Sequence, residues 1–408
     1  MRKILIIGLF AGAFLMAGML TPQQAMTQET LLIGQNLPLS GPAASWGVGS
    51  LRGLELAEEE ANAKGGLDIK GKKYKVEHVS YDNKVDVDQT LKIMNKLVLE
   101  HKVRYVLGGA VGATCRAGQT VTAPNGVLYT FVCWGKELLG KKVPLNFRVE
   151  LSPWEASDAY LEAVKRLHPD MKTIATISPN DTSGWDGAKG DIAAAKKVGI
   201  ECIAEEYYER SATDFHGLLG RVLAKKPDLL DVATSPMSTG GLILKQAYEM
   251  GYRGPKIWVA GTYPPAAIKI CGPEAAEDLY TCIFWDYQGK YTTPGLNALV
   301  TRYREKYKED WDYVGIAQYA FIKAMFEVME KEGTIDPVKV ADAMVKHQPY
   351  DSVRGPYMFG QAEFYDGPPR QALHPIVLGA YKNGKMENIG FVLPQEVKAK
   401  VGDWKFPK

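Results

Sequence analysis

Short apolar runs alternate with amphipathic segments along most of the chain after residue 30. The runs at 31–34, 103–107 and 173–177 are bounded by polar or glycine-containing turns, a pattern typical of buried strands. Between them, segments such as 88–101 place apolar residues three and four positions apart, which predicts helices with one buried face. Strands that alternate with helices at this spacing predict parallel sheets built from βαβ units.

The alternation forms two blocks. The first ends with a predicted strand at 147–149, and the pattern restarts with a predicted helix at 154–167. Later, the apolar positions between 317 and 328 follow a helical repeat, and Asp336-Pro337 is typical of a capped helix start. No low-complexity linker separates the blocks. We therefore expect two α/β lobes, and small ligands bind such lobes in the cleft outside the carboxyl ends of the strands.

The first residues have the organisation of a secretory signal peptide. Arg2 and Lys3 precede an apolar run at 4–20, and a polar stretch leads to Ala25. We expect residues 1–26 to be cleaved and the mature chain to be periplasmic. The alternative is an N-terminal membrane anchor, for which the run is near the lower length limit. Because no cysteine precedes Cys115, a lipid anchor on an N-terminal cysteine is not expected.

The composition is that of an ordinary globular protein. Of the 408 residues, 46% are hydrophobic and 24% are charged, and 49 Lys and Arg stand against 47 Asp and Glu. Because nucleic-acid binding requires clustered basic charge, no nucleic-acid partner is expected.

Five cysteines in an exported chain suggest a disulfide bond. Cys271 and Cys282 flank a short polar segment and are the favoured pair. Cys115 with Cys133 is a weaker pairing, and a further alternative is that all five cysteines are small buried hydrophobic residues.

The sequence contains no recognisable catalytic motif. It has neither a nucleophile elbow nor a phosphate-binding P-loop, and its histidines lack metal-ligand spacing. We therefore expect no enzyme activity, no metal ion and no cofactor.

A glycine-rich turn at 108–112 leads into a predicted helix, but its glycine spacing is not that of a dinucleotide fingerprint. Backbone N–H groups at such a helix start can bind carboxylate or phosphate oxygens, and Ala113 and Thr114 lie there. Arg116 adds a cation whose direction the sequence does not fix. The alternative is a plain turn in which Thr114 caps the helix.

Four aromatic residues lie just after predicted strands. They are Trp46, Trp134, Trp185 and Tyr263. Any one of them can be ordinary surface packing, but four at equivalent strand ends predict the aromatic walls of a ligand slot.

The chain also contains several short motifs in a characteristic order. They are Leu39-Ser40-Gly41-Pro42 with Trp46-Gly47, Asn62-Ala63-Lys64-Gly65-Gly66-Leu67, Tyr81-Asp82-Asn83 and Thr213-Asp214-Phe215. In order and spacing they resemble those of periplasmic branched-chain amino-acid-binding proteins, the type I substrate-binding components of ABC importers. The resemblance covers nearly the whole chain after the leader.

This resemblance implies an α/β fold of two Rossmann-like lobes with parallel sheets, joined by three crossover strands near 147–150, 284–287 and 353–357. One lobe would comprise residues 27–149 with 285–354, and the other residues 150–284 with 355–408. The implied function is the capture of a small solute by closure of the lobes and its delivery to a membrane permease by a monomeric receptor.

The predicted ligand positions depart from the family pattern. The carboxylate-binding loop corresponds to Ala113 and Thr114, whereas the place of a ligand-binding Thr falls near Cys133-Trp134. A tyrosine at a second-lobe helix start is replaced around Ser183 and Trp185. The place of the acidic residue that pairs with a ligand ammonium carries Thr262 and Tyr263, neither of which is a carboxylate.

A desolvated ammonium is costly without a counter-charge, so the sequence favours a carboxylate or amide with an aromatic or aliphatic body. The alternatives are a receptor for branched-chain or other amino acids, and a ligand sensor for a membrane receptor. An exported α/β enzyme would need a nucleophile with a base or a metal site, and neither is visible.

Overall fold

The computed structural model describes residues 29–259, 264–281, 290–309 and 313–407. In this part of the chain the strands are β1 (Glu29–Leu37), β2 (Leu67–Ile69), β3 (Lys72–Asp82), β4 (Tyr105–Gly109), β5 (Leu128–Phe131), β6 (Asn146–Arg148), β7 (Thr173–Pro179), β8 (Glu201–Tyr208), β9 (Leu229–Asp231), β10 (Lys256–Ile257), β11 (Leu279–Thr281), β12 (Tyr350–Ser352), β13 (Gly355–Gly360), β14 (Gln371–Leu373), β15 (Ile376–Lys382) and β16 (Lys385–Val392).

The helices of the described residues lie between these strands, as the alternating pattern predicts. They are α1 (Ala44–Ala63), α2 (Val87–Asn95), α3 (Gly112–Thr122), α4 (Pro153–Leu167), α5 (Thr182–Lys197), α6 (His216–Leu223), α7 (Met237–Glu249), α8 (Pro264–Cys271), α9 (Pro273–Ala276), α10 (Pro294–Tyr307), α11 (Tyr313–Glu332), α12 (Pro337–Lys346), α13 (Ala362–Tyr365) and α14 (Gln395–Val401). No helix within the described ranges is long and apolar enough to cross a membrane.

Two sheets form the cores of two lobes. The first has the order β12-β13-β14-β6-β5-β4-β1-β3-β2, and the second has the order β16-β15-β11-β10-β9-β7-β8. The central strands of both sheets pair in parallel, whereas β2, β12, β13, β15 and β16 add antiparallel pairings at the edges. The α/β class and the two-lobe arrangement expected from the sequence are confirmed.

Local sequence signals account for the helix ends. Asp336 caps α12, since its carboxylate accepts a hydrogen bond from the backbone N–H of Lys339 at 3.1 Å. Ser152 and Glu155 form a capping box at the start of α4. The longest apolar helix, α11, packs on α1 at Gly53, where a Cβ would lie only 2.5 Å from the carbonyl oxygen of Gly315. Glycine at this position therefore allows the two helices to approach closely.

The chain passes between the lobes at residues 149–152, after β6, in agreement with the crossing expected near 147–150. The crossing expected near 284–287 lies outside the described residues. The third expectation was wrong, because β13 and β14 both belong to the first sheet. The third crossing is instead at His374 and Pro375, between β14 and β15.

The segment 355–408 is therefore divided between the lobes rather than assigned to the second one. Residues 376–392 belong to the second sheet, whereas α14 packs back against β13 of the first. Trp404 follows α14 and packs so closely on Gly355 that a Cβ there would lie 2.6 Å from the indole. The pattern of the sequence could not show which lobe each of β13 to β16 joins, because the strands of both lobes look alike as short apolar runs. The leader expected at 1–26 lies outside the described residues.

Candidate functional site

A cavity lies between the two lobes at the carboxyl ends of the parallel strands. Its lining residues are Trp46, Ala110, Val132, Cys133, Trp134, Ser183, Arg210, Thr234 and Tyr313. All except Tyr313 follow a strand, namely β1, β4, β5, β7, β8 or β9. With the lobes closed on each other, the cavity has about 20 Å³ of room for a water-sized sphere. This is the position at which open α/β sheets bind ligands.

The structure brings together four of the residues singled out from the sequence. Trp46, Cys133, Trp134 and Ser183 all line this cavity. Thr262 and Tyr263 lie outside the described residues, so their placement at the ligand site stays a prediction.

The other three predicted residues are not among those that line the cavity. Trp185 is 40% exposed, and its indole N–H donates to the side-chain oxygen of Asn180 at 3.2 Å. Ala113 and Thr114 belong to the first turn of α3, which begins at Gly112 after the N-cap residue Val111. The Thr114 hydroxyl is buried and donates to the carbonyl of Val111 at 2.9 Å. That bond was not visible from the sequence, which offered Thr114 as an anion ligand or as the N-cap.

Trp46 lies in the first turn of α1 and not in a loop. The helix begins at Ala44, and Gly47 allows it to lie against the preceding segment. A Cβ at Gly47 would lie 1.9 Å from the carbonyl oxygen of Pro38. Trp46 is only 5% exposed, and its indole N–H has no hydrogen-bond partner among the described residues.

Trp134 reaches from the first lobe into the second. Its indole N–H donates to the carbonyl of Leu151 at 3.2 Å, and its own carbonyl accepts from the Ser183 hydroxyl at 3.2 Å. The ring lies against Gly187 of α5, where a Cβ would be 3.1 Å from the indole. These contacts show that the lobes are closed on each other at this point.

Buried groups beneath the loop hold Trp134 in place. The guanidinium of Arg148, which is 1% exposed, donates to the carbonyls of Cys133 at 2.9 Å and Gly135 at 2.7 Å. A disulfide bond between Cys115 and Cys133 ties the same loop to α3.

The bonded cysteine pair is the one that the sequence favoured less. The thiol of Cys271 is free and buried, whereas Cys282 lies outside the described residues, so the Cys271–Cys282 pair stays a prediction. The spacing of Cys115 and Cys133 in the sequence did not show that the first turn of α3 lies beside the end of β5.

The N-termini of α3 and α5 meet across the cleft. A Cβ at Gly112 would lie 2.6 Å from the Ser183 hydroxyl oxygen and 3.1 Å from the Ser183 backbone nitrogen. Each helix N-terminus carries a partial positive charge, so this edge of the cavity favours negative charge. Beside it, Arg116 of α3 hydrogen-bonds to Thr182 and forms an ion pair with Glu137 at 2.6 Å.

Arg210 is the main residue that the sequence reasoning missed. It lies two positions after β8, and its Nε donates to a carboxylate oxygen of Asp181 at 2.5 Å. Its side chain is 16% exposed, and its guanidinium carbon lies 6.0 Å from the ring centroid of Trp46. Its Nη1 is buried without a hydrogen-bond partner among the described residues. Its position just after a strand could have pointed to it, because the aromatic residues of the predicted ligand slot were selected by their positions just after strands.

The only ionisable side chain of basic or acidic type in the described lining of the cavity is that of Arg210. The lining contains one guanidinium, two indoles and two hydroxyl side chains besides a tyrosine, and it includes no Asp or Glu. Asp181 lies behind Arg210 and is the N-cap of α5, where its carboxylate accepts from the Gly184 N–H at 3.1 Å. In the described ranges, no group of three His, Cys, Asp or Glu side chains is placed to hold a metal ion.

Comparisons with known proteins agree with this geometry. The family model described as "Periplasmic binding protein" matches residues 30–384. The chain is 26% identical over 334 residues to the Leu/Ile/Val-binding protein homolog 7 of Brucella abortus, and this match covers 78% of the chain and 82% of the relative.

Two solved structures have a similar fold. One is the branched-chain amino acid transporter substrate binding protein LivJ of Streptococcus pneumoniae in complex with isoleucine, with a TM-score of 0.76, 23% identity and coverage of 90% of this chain and 100% of that chain. The other is a solute binding protein of an ABC transporter from R. palustris in complex with benzoate, with a TM-score of 0.75, 19% identity and coverage of 90% and 97%. At these identities the two structures establish the fold and leave the ligand open.

Proposed function

The chain belongs to the periplasmic binding protein family, and from this premise we propose that it captures a small organic acid or amide in its interlobe cleft and delivers it to an ABC importer. The solute carries one carboxylate or neutral polar head on an aromatic or aliphatic body. We further propose that residues 1–26 are removed on export. The mature protein then acts in the periplasm, and we propose that it does so as a monomer.

The observation that carries this proposal is the composition of the cavity wall. Trp46 and Trp134 supply flat apolar surfaces from one lobe, whereas Arg210 supplies a positive charge from the other. The described lining offers no carboxylate to an ammonium group. Because a desolvated ammonium is unfavourable by several kcal/mol without a counter-charge, a zwitterionic amino acid fits this wall poorly.

The structural neighbours are compatible with the proposal and do not decide it. One is bound to isoleucine and another to benzoate, and both share the fold at similar TM-scores. The choice between an amino acid and an acid without an amine therefore depends on the side chains of this cleft.

Thermal unfolding against a ligand panel tests the proposal. The protein is unfolded in denaturant, freed of co-purified solute and refolded before amino acids, aromatic and aliphatic carboxylates, amides and sugars are added. A ligand at a hundredfold excess over its Kd stabilises the folded state by about 2.7 kcal/mol, so a binder raises the Tm by several degrees. A shift with acids or amides supports the proposal, whereas a shift with leucine or valine and none with acids or amides overturns it.

A further inference from the structure

We propose that Arg210 and Trp46 together bind the carboxylate of the solute, with one hydrogen-bond donor from each lobe. The donors are Nη1 of Arg210 and Nε1 of Trp46. This inference rests on the proposed solute-binding function and narrows it, because it predicts that the cleft prefers carboxylates to the corresponding amides.

The first support is that two buried donors in one cavity lack acceptors. Nη1 of Arg210 and Nε1 of Trp46 both have negligible solvent contact and no hydrogen-bond partner among the described residues. Both residues line the cleft cavity. A buried donor without an acceptor is unfavourable, and native proteins rarely keep one without a reason such as an absent ligand. Two in the same small cavity call for an acceptor that enters from outside.

The second support is that Arg210 is already oriented. Its Nε is engaged by Asp181 at 2.5 Å, and Asp181 is in turn fixed as the N-cap of α5. This arrangement fixes the plane of the guanidinium and leaves Nη1 free. An oriented guanidinium recognises a carboxylate through planar, charge-assisted hydrogen bonds.

The third support is the match between the donors and the chemistry of a carboxylate. The guanidinium carbon lies over the Trp46 ring, 6.0 Å from its centroid, so the two donor side chains are neighbours across the cleft. A carboxylate has two acceptor oxygens and no donor, whereas the NH₂ of an amide would face a donor. The meeting N-termini of α3 and α5 add positive potential at the same cleft.

The arrangement also couples recognition to closure. Trp46 belongs to the lobe of β1 and Arg210 to the lobe of β8, and the two lobes have separate sheets. A carboxylate that accepts from both would bind the closed form better than the open form. A ligand shifts such an equilibrium only through this differential affinity.

Isothermal titration with benzoate and benzamide tests the inference. In the wild type we expect benzoate to bind at least about tenfold more tightly than benzamide, since hydrogen bonds to charged groups are stronger than neutral ones. Arg210→Gln should weaken benzoate binding by about tenfold or more and weaken benzamide binding by a smaller factor, because the amide carries no charge. Arg210→Lys should restore part of the benzoate affinity, because it keeps the charge but loses the planar fork.

Three further variants make the test specific. In the double variant Asp181→Asn with Arg210→Gln no charge is left unpaired, and the loss of benzoate affinity should persist. Trp46→Phe keeps an aromatic ring but removes the N–H, and it should weaken benzoate more than benzamide. Arg221→Gln removes an exposed arginine that pairs with Glu206 at 2.7 Å, and it should change neither affinity.

The outcomes separate this inference from the proposed function. If the wild type binds benzoate or another acid of the panel and the Arg210 and Trp46 variants bind it equally well, the inference is overturned and the proposed function stands. If the wild type binds leucine or valine and no acid or amide, both fail. Should Arg210→Gln lose its cooperative unfolding transition, Trp46→Phe decides the question by itself.

Discussion

Two buried carboxyl groups of the second lobe, Asp191 and Asp231, are close enough to influence each other's protonation. Asp191 accepts hydrogen bonds from Ser157 and from the Tyr160 hydroxyl, the latter at 2.9 Å, and Asp231 accepts from the Ala233 N–H at 2.8 Å. Burial raises the pKa of Asp191 to about 7, and burial together with the neighbouring carboxyl raises the pKa of Asp231 as well. The folded state therefore retains protons that the unfolded chain releases near the ordinary aspartate pKa.

This retention makes the pair a source of instability as the pH rises. Between pH 3.8, the ordinary aspartate pKa, and about pH 7 the folded protein binds more protons than the unfolded chain. The contribution of the two aspartates to the free energy of unfolding therefore falls as the pH rises. Asp231→Asn keeps the shape of the side chain but removes one of the two titrating carboxyl groups. We expect this variant to have a higher Tm than the wild type, with a difference that grows from about pH 4 to pH 7.

Asp228→Asn is the matched control, for which we expect a change in Tm of the opposite sign. Asp228 accepts from the backbone N–H groups of Lys172 at 2.8 Å and Thr173 at 2.9 Å, and these bonds lower its pKa despite partial burial. Its stabilising contribution is present above the ordinary pKa, so the substitution should lower the Tm at neutral pH. Equal pH profiles for the two variants in thermal unfolding would contradict the assignment.

At the scale of single residues, the rule that ligands bind where strands end selected Trp46 and Trp134, whereas Cys133 and Ser183 came from the family resemblance. All four line the cavity, but Trp185, which the strand-end rule also selected, does not. The Thr114 hydroxyl, predicted as an anion ligand or as the N-cap, donates to the carbonyl of Val111, which is itself the N-cap residue. Arg210 was missed because its orientation depends on Asp181, which is 29 positions away and belongs to another helix start.

At the scale of elements, the contact between α5 and the Trp134 loop determines how closely the lobes approach. A Cβ at Gly187 would lie 3.1 Å from the Trp134 ring and 2.9 Å from the Thr234 methyl group. Both distances are tighter than ordinary van der Waals contact, so a side chain at this position must push its neighbours away. The closed arrangement therefore depends on glycine at position 187.

Gly187→Ala should weaken ligand binding while leaving the fold intact. Overpacking at a tight contact costs about 1–3 kcal/mol, which corresponds to a roughly 5- to 150-fold higher Kd if the strain arises in the closed form. Titration with the panel compound that gives the largest Tm shift measures this change.

Gly217→Ala provides the control for this glycine. Gly217 lies on α6, and a Cβ there meets no atom within 4 Å. Because alanine favours a helix more than glycine does, this variant should be as stable as the wild type or slightly more so, with an unchanged Kd. An unchanged Kd in Gly187→Ala would show that Trp134 and Thr234 can move without affecting closure.

At the scale of the whole molecule, a buried ion network ties together two of the passages between the lobes. Glu150 lies in the first passage and His374 in the third, and Glu150 Oε1 lies 2.6 Å from Nε2 of His374. The other carboxylate oxygen lies 2.7 Å from Nη2 of Arg354. The side chains of Glu150, Arg354 and His374 are at most 1% exposed. Burial acts to raise the pKa of Glu150, but the Arg354 guanidinium and the contact with His374 lower it overall, whereas burial and the neighbouring Arg354 lower the pKa of His374.

Glu150→Gln should destabilise the whole protein strongly. The substitution keeps the shape but removes the carboxylate charge that faces Arg354, and breaking a buried pair in this way costs about 3–5 kcal/mol. Denaturant unfolding monitored by circular dichroism measures the loss.

Glu206→Gln is the comparison, since Glu206 pairs with the exposed Arg221 at 2.7 Å. Surface pairs of this kind contribute about 0–1 kcal/mol. If both variants lost the same small amount of stability, the network between the passages would contribute no more to the free energy of unfolding than a surface ion pair does.

The sequence by itself determined the α/β class, the two lobes and the sheet edge at which the cavity lies. These follow from hydrophobic periodicity and from where each strand ends, and both are local properties of the chain. Tertiary structure alone decided the Cys115–Cys133 bond, the third passage at His374 and Pro375, and the pairing of Asp181 with Arg210. The disulfide bond and the ion pair join residues 18 and 29 positions apart, and the passage depends on which sheet each of β14 and β15 joins. All three therefore depend on how the two sheets and their helices pack.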